Sequence, residues 1–149
     1  MKAITQNLES IAILLAIGAF AAYTLGWPSA EGLIVITASA LAFYYLASGV
    51  LVLLDKVNVE RIMRIMWFLG MWALAMVVLG AMATVLRWPV ADTFLMCGAG
   101  GTMATVGFTW LNRQGMDTSI RDAYDTEIRP LARRLLGGSA VAAMFWFVA

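Results

Sequence analysis

The fold is decided by the stretch LGWPSAE at residues 25–31, which lies between two long apolar runs. A second stretch, LRWPVAD at residues 86–92, lies between two further apolar runs and follows the first at a constant offset of 61 residues. The shared pattern is L-x-W-P-x-A-[E/D]. Proline ends the helix before it and suits the first turn of the helix after it. Each stretch therefore predicts a reversal between two antiparallel helices.

Each position of this turn motif has a structural interpretation. Tryptophan suits the headgroup level of a bilayer, where its ring is buried and its N–H stays hydrated. The acid three residues after proline falls in the first turn of the next helix, near the positive end of the helix dipole. We interpret the motif as structural, with a binding role as the alternative. The outer-turn residues are Trp27, Pro28, Glu31, Arg87, Trp88, Pro89 and Asp92.

Composition narrows the class of protein before any site is considered. Of the 149 residues, 62% are hydrophobic and only 13% are charged, about half the ~25% typical of soluble domains. The mean hydropathy is +0.85. A soluble enzyme, a disordered chain and a free nucleic-acid binder are excluded by this balance. The sequence predicts an integral membrane protein.

Uncharged runs locate the membrane spans at residues 10–30, 32–54, 65–86 and 93–112. Each has roughly the 20 residues that a helix needs to cross ~30 Å of hydrocarbon. We therefore predict an all-α membrane protein with four transmembrane helices, arranged as two parallel-repeat hairpins. The predicted segments are hairpin 1 at residues 1–54, a cytoplasmic loop at 55–64, hairpin 2 at 65–112 and an amphipathic C-terminal tail at 113–149.

Basic residues indicate the orientation. Arg87 is the single basic residue predicted on one side, and this imbalance makes the other side cytoplasmic. Both termini are then predicted to be cytoplasmic. The basic residues predicted on the cytoplasmic side are Lys2, Lys56, Arg61, Arg64, Arg113, Arg121, Arg129, Arg133 and Arg134.

Small residues recur at spacings that allow helices to approach closely. One stripe contains Gly18, Ala22 and Gly26; a second contains Gly100, Ala104 and Gly107. We interpret both as packing faces within the bundle, with a docking face for a partner helix as the alternative. Cys97 is expected to be buried as a small hydrophobic residue.

The tail carries an apolar stripe at helical spacing, which predicts an amphipathic helix at the cytoplasmic membrane surface. Pro130 is expected to break or restart this helix. The predicted lipid-headgroup residues are Arg129, Arg133 and Arg134, which suit anionic headgroups. Residues 135–149 form a helix too short to cross fully, so interfacial, re-entrant and docked placements all stay open.

Around the Trp-Pro turns the sequence resembles small bacterial membrane proteins with a W-P-[GS]-A turn, and is similar to the N-terminal membrane hairpin of the GldL-type gliding-motility and type IX secretion protein. The resemblance covers residues 8–54 and 65–112 as two copies. It implies a bacterial origin, and hence a multi-pass protein of the inner (cytoplasmic) membrane. The GldL-type family carries a glutamate in its second membrane helix, where this chain has Phe43 and Ala104. The proton-using role of that family is therefore not carried over to this chain.

No ionisable residue lies in the middle of a predicted span, which weighs against a proton-coupled machine. We predict a non-catalytic accessory or assembly subunit that packs with partner helices. A small channel or transporter lined by hydroxyls is the alternative, and an enzyme using Glu31, Arg87 and Asp92 is a third. The hydroxyl-bearing candidates are Thr37, Ser39, Thr102 and Thr105.

The chain has no histidine and one cysteine, so it offers no usual metal-ligand set, and no metal or other cofactor is predicted. The expected partners are membrane lipids and a membrane-protein partner or second copy. Nucleic acid is not expected, because the net charge is only +1.

Overall fold

The computed structural model describes residues 2–54, 61–114 and 118–148. Within these ranges the chain forms five consecutive helices joined by short connections. They are α1 (Lys2–Thr24), α2 (Ala30–Leu54), α3 (Arg61–Val85), α4 (Ala91–Gln114) and α5 (Thr118–Val148).

The prediction of four apolar spans is confirmed. Helices α1 to α4 are each long and apolar enough to cross a membrane. The first predicted span extended to residue 30, whereas α1 ends at Thr24, because the Trp-Pro turn itself occupies the last part of that uncharged run. Of the predicted loop at residues 55–64, positions 55–60 lie outside the described residues.

Helix α3 is the centre of the bundle. It packs against α2, α4 and α5, whereas α1 packs along its length only on α2 among the described residues. Half of the residues in the apolar segment of α3 are buried, compared with 11% of those in the apolar segment of α1. Among the described residues, α1 and α5 are neighbours whose backbones do not approach closely and which meet only through side chains.

Glycines allow α3 and its neighbours to approach closely. A Cβ added to Gly98 of α4 would lie 2.7 Å from the backbone nitrogen of Val77, and one added to Gly80 of α3 would lie 2.8 Å from the backbone nitrogen of Leu95. Any side chain would force these two helices apart. The α3–α4 contact is therefore built from backbone approach and dispersion, as expected where lipid removes the hydrophobic driving force.

The two Trp-Pro turns have the same backbone hydrogen bonds. In the first, the N–H groups of Gly26 and Trp27 donate to the carbonyls of Tyr23 and Ala22; in the second, equivalent bonds join residues 61 positions later. This is the Schellman ending of a helix, which places one residue in the left-handed region. Gly26 occupies that position with φ 71°, and Arg87 occupies it with φ 54°. The matching turns support the predicted internal repeat, which stays a prediction.

Helix α5 differs from the predicted tail. The helix continues through Pro130, so the prediction of a break there was wrong. The apolar stripe lies within the protein, because Leu131 and Leu135 are fully buried against α2 and α3. This burial compensates for the hydrogen bond that proline removes.

The C-terminal half of α5 runs back along the bundle. Its Phe145 stacks edge to face on Phe20 of α1, with ring centroids 5.8 Å apart, and Ala142 packs beside Leu95 at the start of α4. The end of α5 therefore lies at the same end of the bundle as the Trp-Pro turns, opposite to the start of α1. This geometry does not support the prediction that both termini share one side.

Candidate functional site

A cleft between α1 and α5 is the main cavity among the described residues. Its volume is about 540 Å³, and α2 and α3 form its floor. Each of the four helices lines it over the same length of helix. These segments are residues 9–20 of α1, 34–45 of α2, 74–85 of α3 and 134–145 of α5. From the first to the last residue of each segment the helix rises ~16 Å, so the cleft runs parallel to the helices.

An ion pair closes one end of the cleft. The Arg134 Nη2 atom lies 2.6 Å from the Glu9 Oε2 atom, and the side chains are 26% and 8% exposed. The Tyr45 hydroxyl donates a further hydrogen bond to the Glu9 carboxylate. The guanidinium carbon of Arg134 lies 5.9 Å from the centroid of the Trp67 ring, a distance at which cation–π attraction operates. Four helices thus contribute one side chain each to a polar cluster.

Apart from Thr37, the remainder of the cleft is apolar, and it has open space at Gly137 of α5. A Cβ added to Gly137 would meet no described atom within 4 Å, although the residue lines the cleft. Phe20 and Phe145 close the far end. The result is an apolar slot with its polar cluster at a single end.

A second polar cluster ties α4 to α5. Arg113 forms a bidentate ion pair with Asp125, with 2.7 Å between Nε and Oδ1 and 2.8 Å between Nη2 and Oδ2. Arg129 approaches the same carboxylate at 3.3 Å. The Arg113 hydrogen bonds hold the pKa of the Asp125 carboxyl below its ordinary value. Asp125 and Arg134 are nine residues apart in α5, or ~13 Å, so the Glu9–Arg134 pair lies well inside the bundle relative to this cluster.

The predicted outer-turn residues are all on the surface. Trp27 and Trp88 are 63% and 46% exposed, as expected for side chains at a bilayer interface. The charged groups are exposed as well, and Arg87 forms no ion pair with either acid in the described part of the chain. The exposed prolines and charged members of the motif are Pro28, Glu31, Arg87, Pro89 and Asp92.

The two predicted small-residue stripes have different outcomes. In α1, Ala22 is buried and Gly26 serves the turn, which leaves Gly18 exposed. In α4, Gly100, Ala104 and Gly107 all face outward. The interpretation as packing faces within the bundle therefore fails for every one of these residues except Ala22, and the docking interpretation stays a prediction. Cys97 is exposed, so its expected burial was wrong.

The hydroxyl-bearing candidates do not form one pathway. Thr37 lines the cleft, whereas Ser39 is exposed. Thr102 bonds Ser139 of α5 at 2.8 Å, and Thr105 donates to the Gly101 carbonyl at 2.7 Å. Thr102 is thus engaged between α4 and α5, and Thr105 is buried and bonded within its own helix.

The cleft residues were missed because no local pattern marks them. Glu9 follows a polar N-terminal segment and looks like a residue at a helix end, and Arg134 looks like one of three tail arginines. A signal was nevertheless present, since Arg134 falls between Leu131 and Leu135 of the apolar stripe.

No group of three or more metal-ligating side chains occurs among the described residues. Comparison of the chain with family models, curated proteins and solved structures gives no match.

Proposed function

We propose that this chain is a non-catalytic accessory or assembly subunit of a membrane complex, and that the outer face of α4 receives a helix of a partner or of a second copy. The observation that carries the proposal is the outward row of Gly100, Ala104 and Gly107. Met96 and Met103 flank this row and are 58% and 59% exposed. Small residues form a shallow groove, and flexible methionines adapt to the surface that enters it.

The cost of these glycines supports the proposal. Glycine in a helix interior is less favourable than alanine by ~1 kcal/mol. Gly80 and Gly98 offset that cost through close packing inside the bundle, whereas a Cβ at Gly100 or Gly107 would meet no described atom within 4 Å. A partner helix on this face would supply the missing contacts.

The proposed orientation follows from the basic residues, and the proposed membrane follows from the resemblance to small bacterial membrane proteins. We place the start of α1 and the Arg113–Asp125 cluster on the cytoplasmic side of a bacterial inner membrane, and the two Trp-Pro turns on the outer side. In this arrangement the end of α5 lies toward the outer side, because α5 runs back along the bundle. Reporter fusions at the C-terminus and at the Trp88 turn test the arrangement, which predicts the same side for both.

Purification of the tagged full-length chain in a gentle detergent tests the subunit role. We expect a partner or a second copy to accompany the wild type and to be lost when Gly100 and Gly107 are both replaced by isoleucine. Replacement of Gly18, an equally open glycine on α1, by isoleucine is the matched control and keeps the partner. A wild type that purifies as a monomer with lipid alone would contradict the proposal.

A small transporter is the second candidate, and the cleft is the observation that favours it. The parallel arrangement of the two hairpins gives no support to alternating access, and the ion pair closes one end of the cleft. Solute flux above background in liposomes that is abolished by Gly137→Leu would support transport. Background flux across ions and small solutes would eliminate it.

A further inference from the structure

We infer that the cleft between α1 and α5 binds one acyl chain of an anionic phospholipid, with the phosphate of that lipid beside Arg134. This assignment goes beyond the proposed subunit role, because it concerns a different face of the bundle and a different ligand.

The position of the cleft determines the source of its occupant. The backbones of α1 and α5 do not approach each other closely among the described residues, and side chains join the two helices at the Glu9 level and at the Phe20 level. Between these two levels the cleft opens sideways. In a chain whose first four helices are long and apolar enough to span a membrane, a sideways opening faces lipid. An apolar slot at that depth is filled from the bilayer, because water has no partners along its walls.

The length of the cleft matches an acyl chain. Its ~16 Å length, from the Glu9 level to the Phe20 level, is close to half of the ~30 Å hydrocarbon thickness. That is the depth reached by the acyl chains of one leaflet. The walls along this length are mainly apolar side chains, which suit a hydrocarbon chain.

The polar cluster indicates the headgroup. An amphiphile needs an apolar slot with polar groups at one end, which is the arrangement of this cleft. The Arg134 side chain is 26% exposed, compared with 8% for Glu9, so the arginine is the more accessible member of the pair. Guanidinium groups form charge-assisted hydrogen bonds with phosphate, which favours an anionic headgroup over a neutral one.

Gly137 keeps the slot open. A Cβ there would meet no described atom within 4 Å, so we expect the bundle to tolerate a larger residue, which would occupy space that the acyl chain would use. Val141 lies one helical turn further along the same wall and is 43% exposed. These two positions allow the cleft to be filled without disturbing the buried packing of α5.

The experiment uses the full-length chain in phosphatidylcholine vesicles that contain a trace of phosphatidylglycerol with a photoactivatable group in its acyl chain. After illumination, mass spectrometry maps the adducts. We expect adducts to concentrate on residues 13–20 and 137–145. Gly137→Leu and Val141→Phe should each reduce them to the level found on the outer face of α4. Gly107→Leu, which adds the same bulk on that outer face, is the matched control and leaves the cleft adducts unchanged.

The headgroup is tested by repeating the labelling with a photoactivatable phosphatidylcholine. The preference for phosphatidylglycerol should be about five-fold, the effect of one arginine on an anionic lipid. It should disappear in the double variant Glu9→Gln/Arg134→Gln, which leaves no unpaired charge. Adducts spread evenly over all outward faces would overturn the acyl-chain site. Equal labelling by the two lipids in the wild type would overturn the anionic headgroup assignment.

Discussion

Glu9 and Arg134 join the first helix to the last through a 2.6 Å ion pair between Oε2 and Nη2. These two residues lie near opposite ends of the sequence, and the backbones of α1 and α5 stay apart in the described part of the chain. The pair therefore acts as a bridge over the apolar cleft. Its burial makes the two charges interdependent, because either one alone would be left unpaired in a low-dielectric environment.

Removing one partner of this pair should lower the free energy of unfolding more than removing both partners. We expect Glu9→Gln to destabilise the bundle by about 3 kcal/mol, since it leaves Arg134 without its carboxylate. The double variant Glu9→Gln/Arg134→Gln should recover part of that loss. Unfolding by sodium dodecyl sulfate titration in mild-detergent micelles measures the difference. Equal stabilities for the two variants would contradict a coupled pair.

Gly26 and Arg87 occupy equivalent positions in the two Trp-Pro turns, and replacing them should change the stability of the protein in opposite directions. Gly26 and Arg87 both adopt positive φ, which costs ~1 kcal/mol for a residue with a Cβ. Arg87→Gly should therefore stabilise the protein by about 1 kcal/mol, and Gly26→Ala should destabilise it by a similar amount. Arg87→Ala is the control that removes the charge but keeps the Cβ. A gain as large for alanine as for glycine would assign the effect to charge.

The glycines of α4 should separate into two classes. Gly98→Ala places a Cβ 2.7 Å from the backbone of Val77 and should destabilise the bundle by about 1–3 kcal/mol. Gly107→Ala, on the open face, should be neutral or stabilising by up to ~1 kcal/mol. Thermal unfolding followed by circular dichroism in detergent measures both. Similar losses at the two positions would mean that the outer face is also packed within the chain.

The pairing of Asp125 with Arg113 should make the stability of the protein decrease as the pH falls into the acid range. Its folded pKa lies below the ordinary value because Arg113 binds the ionised carboxylate. The stabilisation is therefore fully present above the unfolded pKa of ~3.9 and is lost as pH falls through the lower, folded pKa. Asp125→Asn should remove this part of the acid dependence, as measured by unfolding at neutral pH and below pH ~4.

The control for this pH effect is Asp92→Asn, which changes an exposed carboxylate at the first turn of α4. It should leave the acid dependence of the wild type in place. An acid dependence that is the same in Asp125→Asn and in the wild type would contradict the role of the Arg113 pair.

The candidate site was less predictable than the spans. The turn residues and the four spans follow from local chemistry, since proline stops a helix and charge marks the limits of an apolar run. Gly100 and Gly107 were assigned to packing within the bundle, whereas both are exposed. Their spacing shows that they share one face of the helix, but it does not show what that face packs against. The cleft depends on Glu9 meeting a distant arginine, which no local periodicity encodes.

By itself, the sequence determined the membrane class, the four apolar spans and the two reversals, because each depends on interactions among neighbouring residues. Only the tertiary structure decided the course of α5 and the burial of the Glu9–Arg134 pair. The local tendency of Pro130 to break a helix was outweighed by the burial of Leu131 and Leu135 against α2 and α3. Desolvation of a charge likewise depends on which helices surround it, and that is a property of the assembled bundle.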